Sequence, residues 1–151
     1  MYALGIHLLL ELKDCNSQIL NDLKKVEDIL IGAAKESKAT IVETSFHKFR
    51  PFGISGMVII AESHLSIHTW PEYGYAAIDV FTCGDVLKPE VAASYLIERF
   101  ESKNPSLFEV KRGIVSRKGD IDLPYKPDNN KPADKGKEIR DVINKELQVV
   151  S

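Results

Sequence analysis

The feature that most narrows the fold is a period-two apolar pattern at the start of the chain. Leu4, Ile6, Leu8, Leu10 and Leu12 occupy alternate positions, with His7 and Glu11 between them. Successive side chains of an extended chain point to opposite faces, so residues 2–12 are predicted to form a strand with one buried face. The period then changes. Ile19, Leu20, Leu23, Val26, Leu30 and Ala33 recur at helical spacing and predict one amphipathic helix ending near Ser37, with Asn16 or Ser17 as its cap. β-branched and aromatic residues over 40–49 predict a second strand, which the turn residues Arg50, Pro51, Phe52 and Gly53 end. Gly53 and Gly56 are read as flanking a loop around Ser55. Residues 57–62 form a short apolar strand. His64, Ser66, His68 and Trp70 then alternate with Leu65, Ile67 and Thr69 up to Pro71, which cannot continue a ladder. Tyr75–Cys83 is apolar at both parities, which predicts a strand covered on both faces. A second helix begins at about Pro89, and a last strand spans Phe108–Ser116.

The order β-α-β-β-β-β-α-β predicts an α+β fold, a two-layer α/β sandwich whose antiparallel sheet is covered on one face by helices. At 151 residues, 44% of them hydrophobic, the chain suits one core, assigned to a single domain over residues 1–116. Residues 117–151 read as a polar tail in which Ile139, Val142, Ile143 and Leu147 line one face of a short helix. Twenty Lys+Arg stand against 22 Asp+Glu, which gives no excess of cations for a nucleic-acid partner. Apolar runs such as Leu8–Leu10 and Met57–Ala61, the latter the longest, fall far short of the roughly 20 residues that span a bilayer. No positively charged stretch opens the N-terminus, so a cytoplasmic protein is expected, with Cys15 and Cys83 unlinked.

Chemically capable side chains concentrate between Phe49 and Cys83. His64 and His68 are four apart, but on a strand that spacing is about 13 Å, too far for one zinc ion with bonds of ~2 Å. No metal site is expected, and His7 and His47 read as hydrogen-bonded structural histidines. Ser55, Ser63, Ser66, His68 and Asp79 contain the ingredients of a serine hydrolase, but Gly53-Ile54-Ser55-Gly56 lacks the Gly-x-Ser-x-Gly spacing of a nucleophile elbow. By itself, Cys83 before Gly84-Asp85 reads as a small buried hydrophobe.

The run Glu62-Ser63-His64-Leu65-Ser66-Ile67-His68-Thr69-Trp70-Pro71-Glu72-Tyr73-Gly74-Tyr75-Ala76-Ala77-Ile78-Asp79-Val80-Phe81-Thr82-Cys83-Gly84 closely resembles the signature of prokaryotic S-adenosylmethionine decarboxylase proenzymes. The likeness extends upstream through Gly5-Ile6-His7-Leu8, Ala39-Thr40-Ile41-Val42, Phe46-His47, Phe49 and Gly53-Ile54-Ser55-Gly56. It implies a self-processing enzyme. The hydroxyl of Ser63 would attack the carbonyl of Glu62, and elimination and hydrolysis would leave chains 1–62 and 63–151, the second opening with a pyruvoyl group. That group, made from Ser63, would replace pyridoxal phosphate, would take the substrate amine as a Schiff base, and would need no metal.

The resemblance also assigns roles. Ser55 would donate to the oxyanion of the acyl shift. His68 would take the α-proton of Ser63 during processing, a task suited to an imidazole at neutral pH. Cys83 would return a proton to the substrate carbon after carbon dioxide leaves, since an unperturbed thiol, with a pKa near ~8.5, can act as an acid at neutral pH. Phe49 would stack on adenine, Glu72 would accept the ribose hydroxyls, and Trp70 would add an aromatic face. The implied substrate is S-adenosylmethionine and the product the aminopropyl donor for spermidine. The implied partner is a second processed copy, in a dimer packed sheet to sheet into a four-layer αββα arrangement with sites at the interface. Arginine or ornithine decarboxylation by the same chemistry is the competing reading, against which Phe49 and Glu72 are retained. An idle regulatory subunit would have no reason to keep Ser63, His68 and Cys83 together.

Overall fold

The alternating leucines of the first strand lie in an interior strand, one in from the edge of a six-stranded sheet. The computed structural model describes residues 3–114, so the expected tail and terminal helix fall outside the described residues. The strands are β1 (Ala3–Lys13), β2 (Ile41–Lys48), β3 (Ile54–Ile60), β4 (Ser63–Trp70), β5 (Tyr75–Cys83) and β6 (Asn104–Ile114). The helices are α1 (Ser17–Leu20), α2 (Leu23–Glu36) and α3 (Pro89–Arg99), and a 3-10 turn, Pro71–Tyr73, joins β4 to β5. Sheet order is β2-β3-β4-β5-β1-β6, with antiparallel pairing throughout. The helices cover one face, where Leu8, Leu10 and Leu12 meet Val26, Leu30 and Ala33 of α2 and Ala92, Ala93 and Leu96 of α3. Each fully buried leucine removed from water contributes about 1.5–3 kcal/mol, so this face supplies most of the core.

Several sequence expectations are corrected. The first helix is two. Asn16 caps α1 by accepting from the N–H groups of Gln18 and Ile19, and Asp22 then starts α2 by accepting from Lys25 N–H. Ser55 lies in β3, not in a loop. Gly53, at φ 101°, completes the turn ahead of the strand, while Gly56 is a strand position where the Phe46 ring of β2 leaves no room for a Cβ. β6 begins at Asn104, not Phe108. It is an edge strand paired only with β1, and an edge tolerates the missing N–H of Pro105. Leu4 is 37% exposed instead of core, packed over Gly113 at the sheet end. β5 is covered by helices on one face only. Ala76, Ile78, Val80 and Thr82 are buried, whereas Ala77, Asp79, Phe81 and Cys83 remain half-exposed on the opposite, open face.

That open face collects His64, Ser66, His68 and Trp70 from β4 and His7 from β1, so the fold separates a dry helical side from a chemically capable one. Gly56→Ala is expected to cost about 1–3 kcal/mol in urea unfolding through overpacking, because its Cβ would stand 2.0 Å from Phe46 Cδ1. The loss should be smaller in a Phe46→Leu background.

Candidate active site

The Glu62–Ser63 peptide sits where the β3–β4 turn enters β4, and β5 holds it from the side. Cys83 N–H donates to the Glu62 carbonyl at 2.8 Å, and Ser63 is opposite Thr82 in the ladder. The Glu62 side chain is anchored as well, accepting from Thr40 N–H at 3.2 Å. A carbonyl already accepting an N–H is polarised toward attack, and the same donor strengthens as negative charge develops on oxygen. Ser63 has φ 148°, a backbone conformation that side-chain-bearing residues rarely adopt. Such strain typically costs about 1–3 kcal/mol and persists only where surrounding structure enforces it. Thr82 Oγ1, directly across from Ser63, is buried without a hydrogen-bond partner.

Around this peptide is a polar group that sequence reasoning did not assemble. Ser63 Oγ lies 3.3 Å from His64 Nδ1. The His64 ring packs edge-on against Phe81, with centroids 5.7 Å apart, and near His7. Its pKa is lowered from the ordinary histidine value, first by burial, then by the nearby His7 and Arg112, with Asp79 opposing. Arg112 contacts His7 Nδ1 at 3.2 Å, and a guanidinium only donates, so Nδ1 accepts and Nε2–H donates to Asp79 Oδ1 at 3.1 Å. Ser66 Oγ donates to the other oxygen of Asp79 at 2.9 Å. His7 is thus the hydrogen-bonded histidine expected from the sequence. The signal for His64 was its place beside Ser63.

The remaining sequence-predicted residues lie toward the other end of β4. Ser55 Oγ and His68 Nδ1 share a 2.7 Å hydrogen bond across β3 and β4. Trp70 stacks on Tyr75 with centroids 5.2 Å apart, and Tyr75 Oη donates to Glu11. Phe49 is 48% exposed with its ring against His47, and Glu72 projects from the 3-10 turn. His68 is five strand positions from Ser63, about 17 Å at the usual rise. One chain therefore brings Glu62, Ser63 and Cys83 together, and separately Ser55 with His68 beside Trp70; no direct contact ties Phe49 or Glu72 to either group among the described residues. The chain does not bring His68 or Ser55 to Ser63.

The family model described as S-adenosylmethionine decarboxylase matches residues 6–113. The chain belongs to that family. It is 57% identical over 150 residues to the S-adenosylmethionine decarboxylase proenzyme of Thermodesulfovibrio yellowstonii, covering 99% of each chain. The proenzyme of Pelotomaculum thermopropionicum is 56% identical over 115 residues, 76% of this chain and 91% of that one. Among solved structures, the adenosylmethionine decarboxylase of Aquifex aeolicus superposes with a TM-score of 0.74 at 35% identity, covering 80% of this chain and 100% of that one. The likeness to this decarboxylase structure agrees with the α+β sandwich expected from the sequence.

Both cysteines are free, as the sequence suggested. Cys15 is buried, which pushes its thiol up to about 11, whereas Cys83 is half-exposed beside the Glu62 carbonyl. Among the described residues, no helix is long and apolar enough to cross a membrane. The Tyr75 phenol is pushed up to about 12, first by burial and then by its bond to Glu11. A proton held more tightly in the folded state stabilises it below the unfolded pKa near ~10, and that stability is lost as pH rises through the folded value. The unfolding midpoint of the wild type should therefore fall more steeply between pH 10 and 12 than that of Tyr75→Phe.

Proposed function

We propose that the chain is a self-processing, pyruvoyl-dependent decarboxylase that converts S-adenosylmethionine to its decarboxylated form, the aminopropyl donor for spermidine. The observation that carries the reading is the Glu62–Ser63 peptide, with its carbonyl held by Cys83 N–H and its serine in strained backbone geometry. Attack by Ser63 Oγ on that carbonyl converts the amide to an ester and frees the strained torsion, so folding itself favours the step. Removal of the α-proton and hydrolysis then separate residues 1–62 from 63–151. The ketone made from Ser63 supplies the electrophile and electron sink that other decarboxylases draw from a bound cofactor. No metal or pyridoxal phosphate enters this scheme. Cys83, whose backbone N–H lies at the cut, would deliver a proton to a carbon held at that point. Phe49, Trp70 and Glu72 offer aromatic faces and a carboxylate of the kinds that an adenine, a sulfonium and a ribose diol require. These residues favour a nucleoside substrate over arginine or ornithine. The setting proposed for this chemistry is the cytoplasm.

The 17 Å gap between Ser63 and His68 is closed by a second copy in this reading. The open face carries Met57, Ile59, Trp70, Phe108 and Val110, all large apolar residues more than a third exposed. Two such faces packed about a two-fold axis form a four-layer αββα dimer, with sheets about 10 Å apart. An axis near the middle of β4 sets the Ser63 end of one protomer over the His68, Ser55, Phe49 and Glu72 end of its partner. Each site then draws its nucleophile and proton donor from one chain and its processing base and nucleoside contacts from the other.

Intact-mass measurement should find two chains meeting between Glu62 and Ser63, the larger blocked at its N-terminus, while Ser63→Ala stays whole. A wild-type chain that remains whole on prolonged incubation removes the enzymatic reading. Labelled carbon dioxide should be released from S-adenosylmethionine and not from arginine or ornithine. Cys83→Ala should be cleaved yet turn over about 100-fold or more slowly, as expected for loss of a proton donor. Coexpressed Ser63→Ala and His68→Ala chains test the shared site: the His68→Ala chain should be cleaved only in the mixture. Absence of cleavage there would place both residues in one protomer's site.

A further inference from the structure

Processing requires two proton transfers, and His68 in its own chain lies about 17 Å from Ser63. The first transfer, from the attacking hydroxyl, has a nearer acceptor. We propose that His64 is the base for the acyl shift, taking the Ser63 hydroxyl proton in its own chain and returning it to the departing nitrogen. The proposal rests on the self-processing reading and assigns one of its steps.

Three observations support it. Ser63 Oγ is 3.3 Å from His64 Nδ1, and among the described residues no other side chain forms a hydrogen bond with it. The ring is set by its edge-on contact with Phe81 and its proximity to His7. Burial and the nearby Arg112 guanidinium favour the neutral imidazole, so at neutral pH the lone pair is free to accept. The groups that bear on His64 are His7 on β1, Asp79 on β5 and Arg112 on β6, while β3 presents Ile59 opposite it.

The balance of the step is simple. The Oγ–H proton passes to Nδ1 as Oγ bonds to the Glu62 carbonyl carbon, and the carbonyl oxygen becomes an oxyanion facing Cys83 N–H. The carbon–nitrogen bond to Ser63 then breaks, the imidazolium gives its proton to that nitrogen, and the oxyanion reforms a carbonyl, now an ester. His64 ends neutral, and no outside reagent is consumed. Elimination from the ester is a separate event with its own base, the role proposed for His68.

The two histidines are distinguished by what accumulates. His64→Ala should lower the processing rate about 100-fold or more, the usual loss for a removed general base. Its persisting chain should be an amide that hydroxylamine does not cleave. His68→Ala should instead accumulate a hydroxylamine-cleavable ester. His64→Asn keeps an acceptor near the Nδ1 position but cannot hold the proton, so it should be as slow as His64→Ala. Wild-type cleavage in His64→Ala, an ester accumulating in it, or a fully active His64→Asn overturns the assignment. If the His64 variants do not fold, the rate of ester formation in His68→Ala reports the first step alone. It should stay level to below pH 6.5 and then fall as His64 is protonated, and a profile flat from pH 5 to 8 overturns the proposal. An intact wild-type chain marks failure of the self-processing reading; a cleaved His64→Ala chain marks failure of this one.

Discussion

One backbone hydrogen bond, Cys83 N–H to the Glu62 carbonyl, organises the functional end of the molecule. It is the last rung of the β4–β5 ladder, continued past Ser63 into the turn. Because β5 runs antiparallel to β4, its final residue returns to the first residues of β4, and Cys83 arrives beside the Glu62–Ser63 peptide. The rung holds the carbonyl in place and leaves Ser63 with a positive φ that the flanking strands enforce. It also links two parts of the proposed cycle, since the residue polarising the carbonyl through its backbone is the one proposed to donate a proton through its side chain.

The second governing constraint is the rise of a strand. At roughly 3.3 Å per residue, the run His64 to His68 extends along the open face instead of gathering at a point. His64 therefore lies at the Ser63 end, packed against Phe81, where burial first and then His7 and Arg112 lower its pKa. His68 serves the far end, bonded to Ser55 among the aromatic residues. Two histidines on the same face of one strand thus occupy chemically different sites. The helices make this possible by covering only the other face, which leaves an apolar open surface for the second copy proposed to complete each site.

Much of the fold was legible from periodicity. β1 and β4 alternate cleanly because one face of each is dry, and α2 and α3 show the helical period because each has one buried stripe. The misread places are those where a distant residue decides local structure. Gly56 reads as a loop until Phe46 on the neighbouring strand is seen to fill the space of its side chain. The last strand reads as starting at Phe108 until Asn104 and Pro105 are seen to pair with β1 at the sheet edge. The helix was read as continuous because Asn21 and Asp22 interrupt its period only briefly, and the new cap at Asp22 shows in the hydrogen bonds. Among the site residues, the resemblance named Ser63, His68 and Cys83, while no spacing argument reached the contact between Ser63 and His64.

By itself, the sequence determined most element types, the dry faces of β1 and the helices, and the chemical repertoire of the segment from Glu62 to Gly84. Those are local properties, set by the two-residue and 3.6-residue repeats and by side-chain chemistry. Only the tertiary structure decided which of those groups meet. Cys83 reaches Glu62 through strand pairing 20 or so residues away in sequence, as expected of an antiparallel return. Ser55 and His68 join each other and not Ser63 because register, once set by the buried face, fixes every cross-strand neighbour.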